Sequence, residues 1–206
     1  MDSQRRRGLL ETAAREFADA GYQQASLNKI IRACGMSKSS FYHYFTSKAE
    51  LFDLVVREAA QALEHDLAIP DPQELAGPHF WERVARLADD LLKLADPQAW
   101  YVDFGKLFYL SDAPLEHSRE LRVVMSRITT WLNQALTVGR ECGAVRDDLP
   151  RSLQAELAFA VLQAMDRWSL HHLPEITPIT REDIARMQLD TVRRLLAPER
   201  CAGRLI

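Results

Sequence analysis

The chain has 206 residues, 47% hydrophobic and 27% charged, with a formal net charge of -3. That profile fits an ordinary soluble globular protein of one large helical domain or two small ones. It has no apolar run near the ~18 residues of a membrane span, and its opening, MDSQRRRGLLETAAREF, lacks the apolar core and small-residue cleavage site of a secretory signal. Three scattered cysteines, Cys34, Cys142 and Cys201, suit neither a disulfide framework nor a zinc site, so a reducing, cytoplasmic setting is expected.

Apolar residues recur at helical spacing almost throughout. Leu9, Leu10, Ala13, Ala14, Phe17 and Ala18 predict a first helix that Gly21 stops. Arg5, Arg6 and Arg7 precede it, as a disordered arm able to lie over a polyanion or as a solvated terminus. A short helix follows Ser26, with Leu27, Ile30, Ile31 and Cys34 inward, and Gly35 breaks it. Ser37 is placed to cap the next helix, and Ser47-Lys48-Ala49-Glu50 has the form of a capping box opening a fourth.

IPDPQELAGP, residues 69–78, reads as a linker, with three prolines and a glycine. Amphipathic segments then cover about 79–95, 98–111, 116–142, 151–172 and 181–197, with the turn CGAVRDDLP between the third and fourth. No strand alternation or repeat interrupts them. The expected fold is all-α, about nine helices: a helix-turn-helix head over 1–47 and a larger helical bundle over 48–206.

Residues 26–45, SLNKIIRACGMSKSSFYHYF, have the makings of a helix-turn-helix: two short helices with a glycine at the corner. The second has a polar start and an aromatic end. Phe41 and Phe45 lie four apart on one face and are assigned to the core, which leaves Tyr42, His43 and Tyr44 able to meet phosphate oxygens. Ser37 and the free N–H groups behind it can meet a phosphate as well. Charge agrees: residues 1–50 hold eight Lys/Arg against five Asp/Glu, and the remainder holds 18 against 24, a basic head on an acidic body.

These residues resemble the TetR family of bacterial transcription regulators. The resemblance rests on Ile30-Ile31, Ala33-Cys34-Gly35, Ser37-Lys38-Ser39, Tyr42-His43-Tyr44-Phe45 and Lys48, followed by KAELF. It implies a homodimer whose two heads enter adjacent major grooves of a (pseudo)palindromic operator. Lys38, Ser39 and Ser40 would touch bases, and Ser26, Tyr42, His43, Tyr44 and Lys48 phosphates. Ser39 departs from the family's usual glycine, and Tyr44 from its commoner histidine.

In that family the second domain binds a small ligand and dimerises. Residues 79–109 hold seven of the chain's 17 aromatics. Trp100, Phe104 and Phe108 share one helix face, and with Trp81, Met125, Trp131, Met165 and Trp168 they are the candidate lining of an apolar or aromatic effector site. The competing reading is that they fill the core. Leu153, Leu157, Val161, Ala164 and Trp168, with Ile184, Val192 and Leu195, are the candidate dimer surface on the last two helices.

No phosphate-binding glycine loop, nucleophile elbow or His-Glu-x-x-His spacing occurs, so neither an enzyme nor a cofactor or metal is expected. A helical adaptor for another protein would leave the aromatics and lysines of 37–48 without purpose. The expected function is a ligand-responsive DNA-binding repressor. The alternative is a helical DNA-binding regulator with no small-molecule effector, controlled by a protein partner.

Overall fold

The computed structural model describes residues 3–94, 118–172 and 180–198. Among them are eight α-helices and one short 3-10 turn, and no strand. The helices are α1 (Ser3–Gln24), α2 (Leu27–Ala33), α3 (Lys38–Tyr44), α4 (Lys48–Asp66), α5 (Phe80–Leu94), α6 (Arg119–Glu141), α7 (Arg151–His172) and α8 (Arg181–Leu196). The segment expected to be helical over 98–111 lies outside the described residues. Packing divides the chain into two units: Met1–Ala68 with Ala95–Ser126, and Ile69–Leu94 with Arg127–Ile206.

The first unit is built around rings. Leu9, Ala13 and Phe17 of α1, Ile30 of α2, Phe41 of α3 and Leu51, Phe52, Val55 and Val56 of α4 are all fully buried. The Phe52 ring meets Phe17 and Tyr22 edge-on, each at 5.1 Å between centroids, the arrangement the ring quadrupoles favour. Leu121, at the start of α6, joins the same cluster. There the Ser118 hydroxyl donates to Asp53 Oδ1 at 2.5 Å and accepts the Leu121 N–H at 3.0 Å, tying α6 to α4 while capping it.

Three local expectations are corrected. Arg5, Arg6 and Arg7 are not a disordered arm but part of α1. Arginine is a good helix former, and Arg6 pairs with Glu58 of α4 at 2.6 Å while Arg7 pairs with Glu11 one turn on. The capping box at Ser47 is half made. Ser47 accepts the Glu50 N–H, but the Glu50 carboxylate reaches past it to the N–H and hydroxyl of Thr46. Residues 69–78 are not a bare linker. Asp71 and Glu74 form a capping box around the 3-10 turn Pro72–Leu75, which buries Pro72 and Leu75. Gly21 does break α1, with φ at 75°, although helical backbone resumes as far as Gln24.

The second unit packs Leu75, Phe80, Ala135, Leu136, Val138, Val145, Ala155, Ala158 and Leu196. A polar knot sits inside it. Gln154 of α7 is fully buried. Its carbonyl oxygen accepts from Arg140 Nε and Nη2 at 3.0 and 2.6 Å, and its amide donates to the Arg146 carbonyl at 2.8 Å. A buried amide satisfied on both ends fixes the α6–α7 turn. No helix among the described residues is long and apolar enough to cross a membrane.

Candidate nucleic-acid interface

The corner between α1 and α2 is set first. Ser26 caps α2 by accepting the Lys29 N–H, and its own N–H donates to Glu16 Oε1 at 3.1 Å. Glu16 is buried and paired with the Lys29 ammonium. Burial pushes its carboxyl up, but Lys29 and the Ser26 N–H together hold it below its ordinary value. On the other side of the corner, Lys48 Nζ donates to the carbonyls of Gln23 at 2.9 Å and Ala25 at 3.3 Å. The same ammonium lies 4.9 Å from the centre of the Tyr22 ring.

Gly35 makes the turn from α2 to α3 at φ 61°, a left-handed conformation that costs glycine nothing. Its N–H returns to the Arg32 carbonyl, and the Met36 N–H to that of Ile31. Ser37 then caps α3, accepting the Ser40 N–H at 3.1 Å. Its hydroxyl also lies 3.1 Å from that of Ser39, so the serine standing where the family has glycine is held by the cap.

The second short helix has two sides of opposite character. Phe41 is fully buried and Phe45 nearly so, their rings 5.2 Å apart. Lys38, Ser39, Ser40, Tyr42, His43 and Tyr44 are exposed, with Tyr42 at 54% and Tyr44 at 43%. Tyr42 leans edge-on against Phe41 and Tyr44 against His43, so each ring is steadied by a neighbour while the residue stays exposed. Helix α3 therefore leaves six candidate residues exposed around the side that Phe41 does not occupy. Ser37 stands exposed at its head, whereas Ser26 and Lys48 are half-buried and already bonded to backbone.

Sequence reasoning missed Glu16, Asn28 and Arg32. Glu16 was legible only as an acid on an otherwise apolar face beside Ala13 and Phe17. Asn28 and Arg32 share one exposed side of α2, four residues apart.

The effector candidates fall in several places. Trp81 and Trp131 pack against the second unit's core, and their indole N–H groups donate to the carbonyls of Ala144 and Pro70, each at 2.9 Å. Met125 packs against the first unit's core. On α7, Met165 is half-buried and Trp168 is 44% exposed. Trp100, Phe104 and Phe108 lie outside the described residues. No cluster of His, Cys, Asp and Glu able to hold a metal occurs among the described residues.

Residues 9–55 match the family model described as bacterial regulatory proteins, tetR family. The transcriptional repressor Rv1474c of Mycobacterium tuberculosis is 25% identical over 71% of this chain and 72% of its own length. Two solved structures share the fold. AibR, in complex with isovaleryl coenzyme A and operator DNA, superposes with a TM-score of 0.68 at 20% identity, covering 91% of this chain and 97% of that one. FadR of Bacillus subtilis, in complex with stearoyl-CoA, superposes at 0.67 and 18% identity, covering 92% and 96%. Residues 9–55 therefore form a tetR-family helix-turn-helix head, and the all-helical chain as a whole shares the fold of AibR and FadR.

Proposed function

We propose that the protein is a transcriptional repressor that holds operator DNA through α3 and releases it when a small apolar or aromatic molecule binds the helical body over 48–206. The observation carrying this reading is α3 itself: a buried Phe41–Phe45 side under an exposed Lys38, Ser40, Tyr42 and His43 side. In this assignment Lys38, Ser39 and Ser40 meet base edges. Ser26, Ser37, Tyr42, His43 and Tyr44, with the remaining N–H of Lys48, meet phosphates.

A homodimer is part of the proposal, since two heads must match groove spacing of roughly 34–36 Å. The face of α7 that carries Leu153, Ala160, Ala164 and Trp168 is exposed, and Met187 of α8 is 43% exposed. An apolar stripe with small residues at its middle supports helix-to-helix pairing of two copies. Sedimentation should give about twice 23.5 kDa.

The deciding experiment is fluorescence anisotropy with duplex from upstream of the protein's own gene, at varied salt. Affinity should exceed that for unrelated duplex and fall steeply with salt. Acyl-CoA thioesters, the ligands held by AibR and FadR, head the effector panel alongside aromatic compounds. An effector should lower the affinity, and failure to prefer upstream duplex would discard the repressor reading.

A further inference from the structure

The solvent sides of α2 and α3 enclose an open groove of about 410 Å³, lined by Asn28, Ile31, Arg32, Met36 and Lys38. Ile31 is buried and Met36 half-buried, so the rim belongs to Asn28, Arg32 and Lys38, all exposed. Asn28 and Arg32 sit one turn apart on α2, and Lys38 stands on the opposite wall at the start of α3. No ion pair among the described residues uses Arg32 or Lys38. Arg32 thus offers a guanidinium that no neighbour among the described residues employs.

Shape decides what such a groove receives. Base edges of a duplex are recessed between the strands, so a base reader has to project outward. The sugar–phosphate backbone is the ridge, and a concave protein surface with cations on its rim accepts a ridge. We propose that Arg32, helped by the amide of Asn28, clasps a phosphate of the operator backbone, a contact outside the stretch that begins at Ser37. This rests on the DNA-binding reading above. The guanidinium fork matches two phosphate oxygens with two parallel bonds in fixed, planar geometry, whereas an ammonium acts as a point charge. The contact fixes the register of α3 on the duplex and reads no base.

The test is anisotropy of the full chain on upstream and unrelated duplexes between 50 and 200 mM salt. Each neutralised phosphate contributes about 0.9 to the slope of log affinity against log salt. Arg32→Gln should lower that slope by about 0.9 on both duplexes. Its affinity deficit against wild type should therefore shrink by about 3.5-fold across the range. Arg32→Lys should keep the slope but bind more weakly, and Asn28→Ala should weaken both duplexes with the slope unchanged. Wild-type affinity and slope in Arg32→Gln would overturn the proposal. So would a loss confined to one base-pair position with the slope intact, which marks a base reader. A wild-type chain that binds neither duplex is a different result, and it removes the operator-binding reading instead.

Discussion

The Lys48 ammonium donates to the Gln23 carbonyl at 2.9 Å, across 25 residues of chain. With Ala25 and the Tyr22 ring it closes the corner from which α2 and α3 project. Two of its three N–H groups are thus occupied inside the head, and the proposed phosphate contact falls to the third. Lys48→Ala should cost about 1–2 kcal/mol of stability, read by denaturant unfolding of the free protein. It should also lower the salt slope of duplex binding by about one unit on every sequence. Lost stability with an unchanged slope would leave Lys48 the corner and no phosphate.

The two sides of α3 should separate stability from binding. Phe41 is fully buried, and Phe41→Ala should cost about 3–5 kcal/mol. Its neighbour Tyr42 is 54% exposed, and Tyr42→Ala should change stability by less than about 1 kcal/mol while weakening duplex binding markedly. If Tyr42→Ala binds duplex like wild type, the solvent side of α3 is not the contact surface.

Glu16 should give the head a pH signature. Its carboxyl is held below its ordinary value, so the folded state binds the proton less readily than the unfolded one. Its stabilising contribution is complete above the unfolded value near ~4.3 and disappears as pH falls through the lower folded value. Glu50, held down by the Thr46 N–H, and Asp183, held down by the Thr180 N–H, behave alike, so wild-type acid unfolding alone cannot isolate Glu16. The difference between wild type and Glu16→Gln can. It should be largest near neutrality and shrink below about pH 4. Lys29, raised by its bond to Glu16, adds a second edge: its contribution is present below ~10.4 and is lost as pH rises past its raised folded value. A difference independent of pH would mean that the carboxylate charge does not hold the corner.

What the sequence made legible was periodic or local. Phe41 and Phe45 stand four apart, so their shared burial follows from helix geometry before any fold is known. The caps at Ser26, Ser37 and Ser47 depend on residues three positions away. What stayed hidden depends on partners that only the folded chain supplies. Lys48 reads as a surface cation until the corner brings Gln23 and Ala25 to it. Arg6 reads as a free terminus until Glu58, 52 residues on, lies beside it. Trp81 and Trp131 look the same in sequence whether they line a cavity or fill a core. Their N–H groups find backbone carbonyls 63 and 61 residues away, which no spacing rule forecasts.

Gly139 offers a test of the second unit that leaves the head untouched. It lies within α6, where glycine ordinarily weakens a helix by about 1 kcal/mol relative to alanine. On propensity alone, Gly139→Ala should stabilise. Space says otherwise: a Cβ there would stand 2.5 Å from Val145 Cγ2 and 2.9 Å from Phe80 Cζ. Both neighbours are buried, and Phe80 is packed edge-on against Trp81 at 5.2 Å, so neither can move without disturbing the core around it. Overpacking of this kind costs about 1–3 kcal/mol, more than the gain in helix propensity. Gly139→Ala should therefore lower the denaturant midpoint with little change in the slope of the transition. A midpoint equal to or above that of the wild type would show that α5 and the 143–149 turn can retreat from α6, and that the second core is looser than its contacts imply.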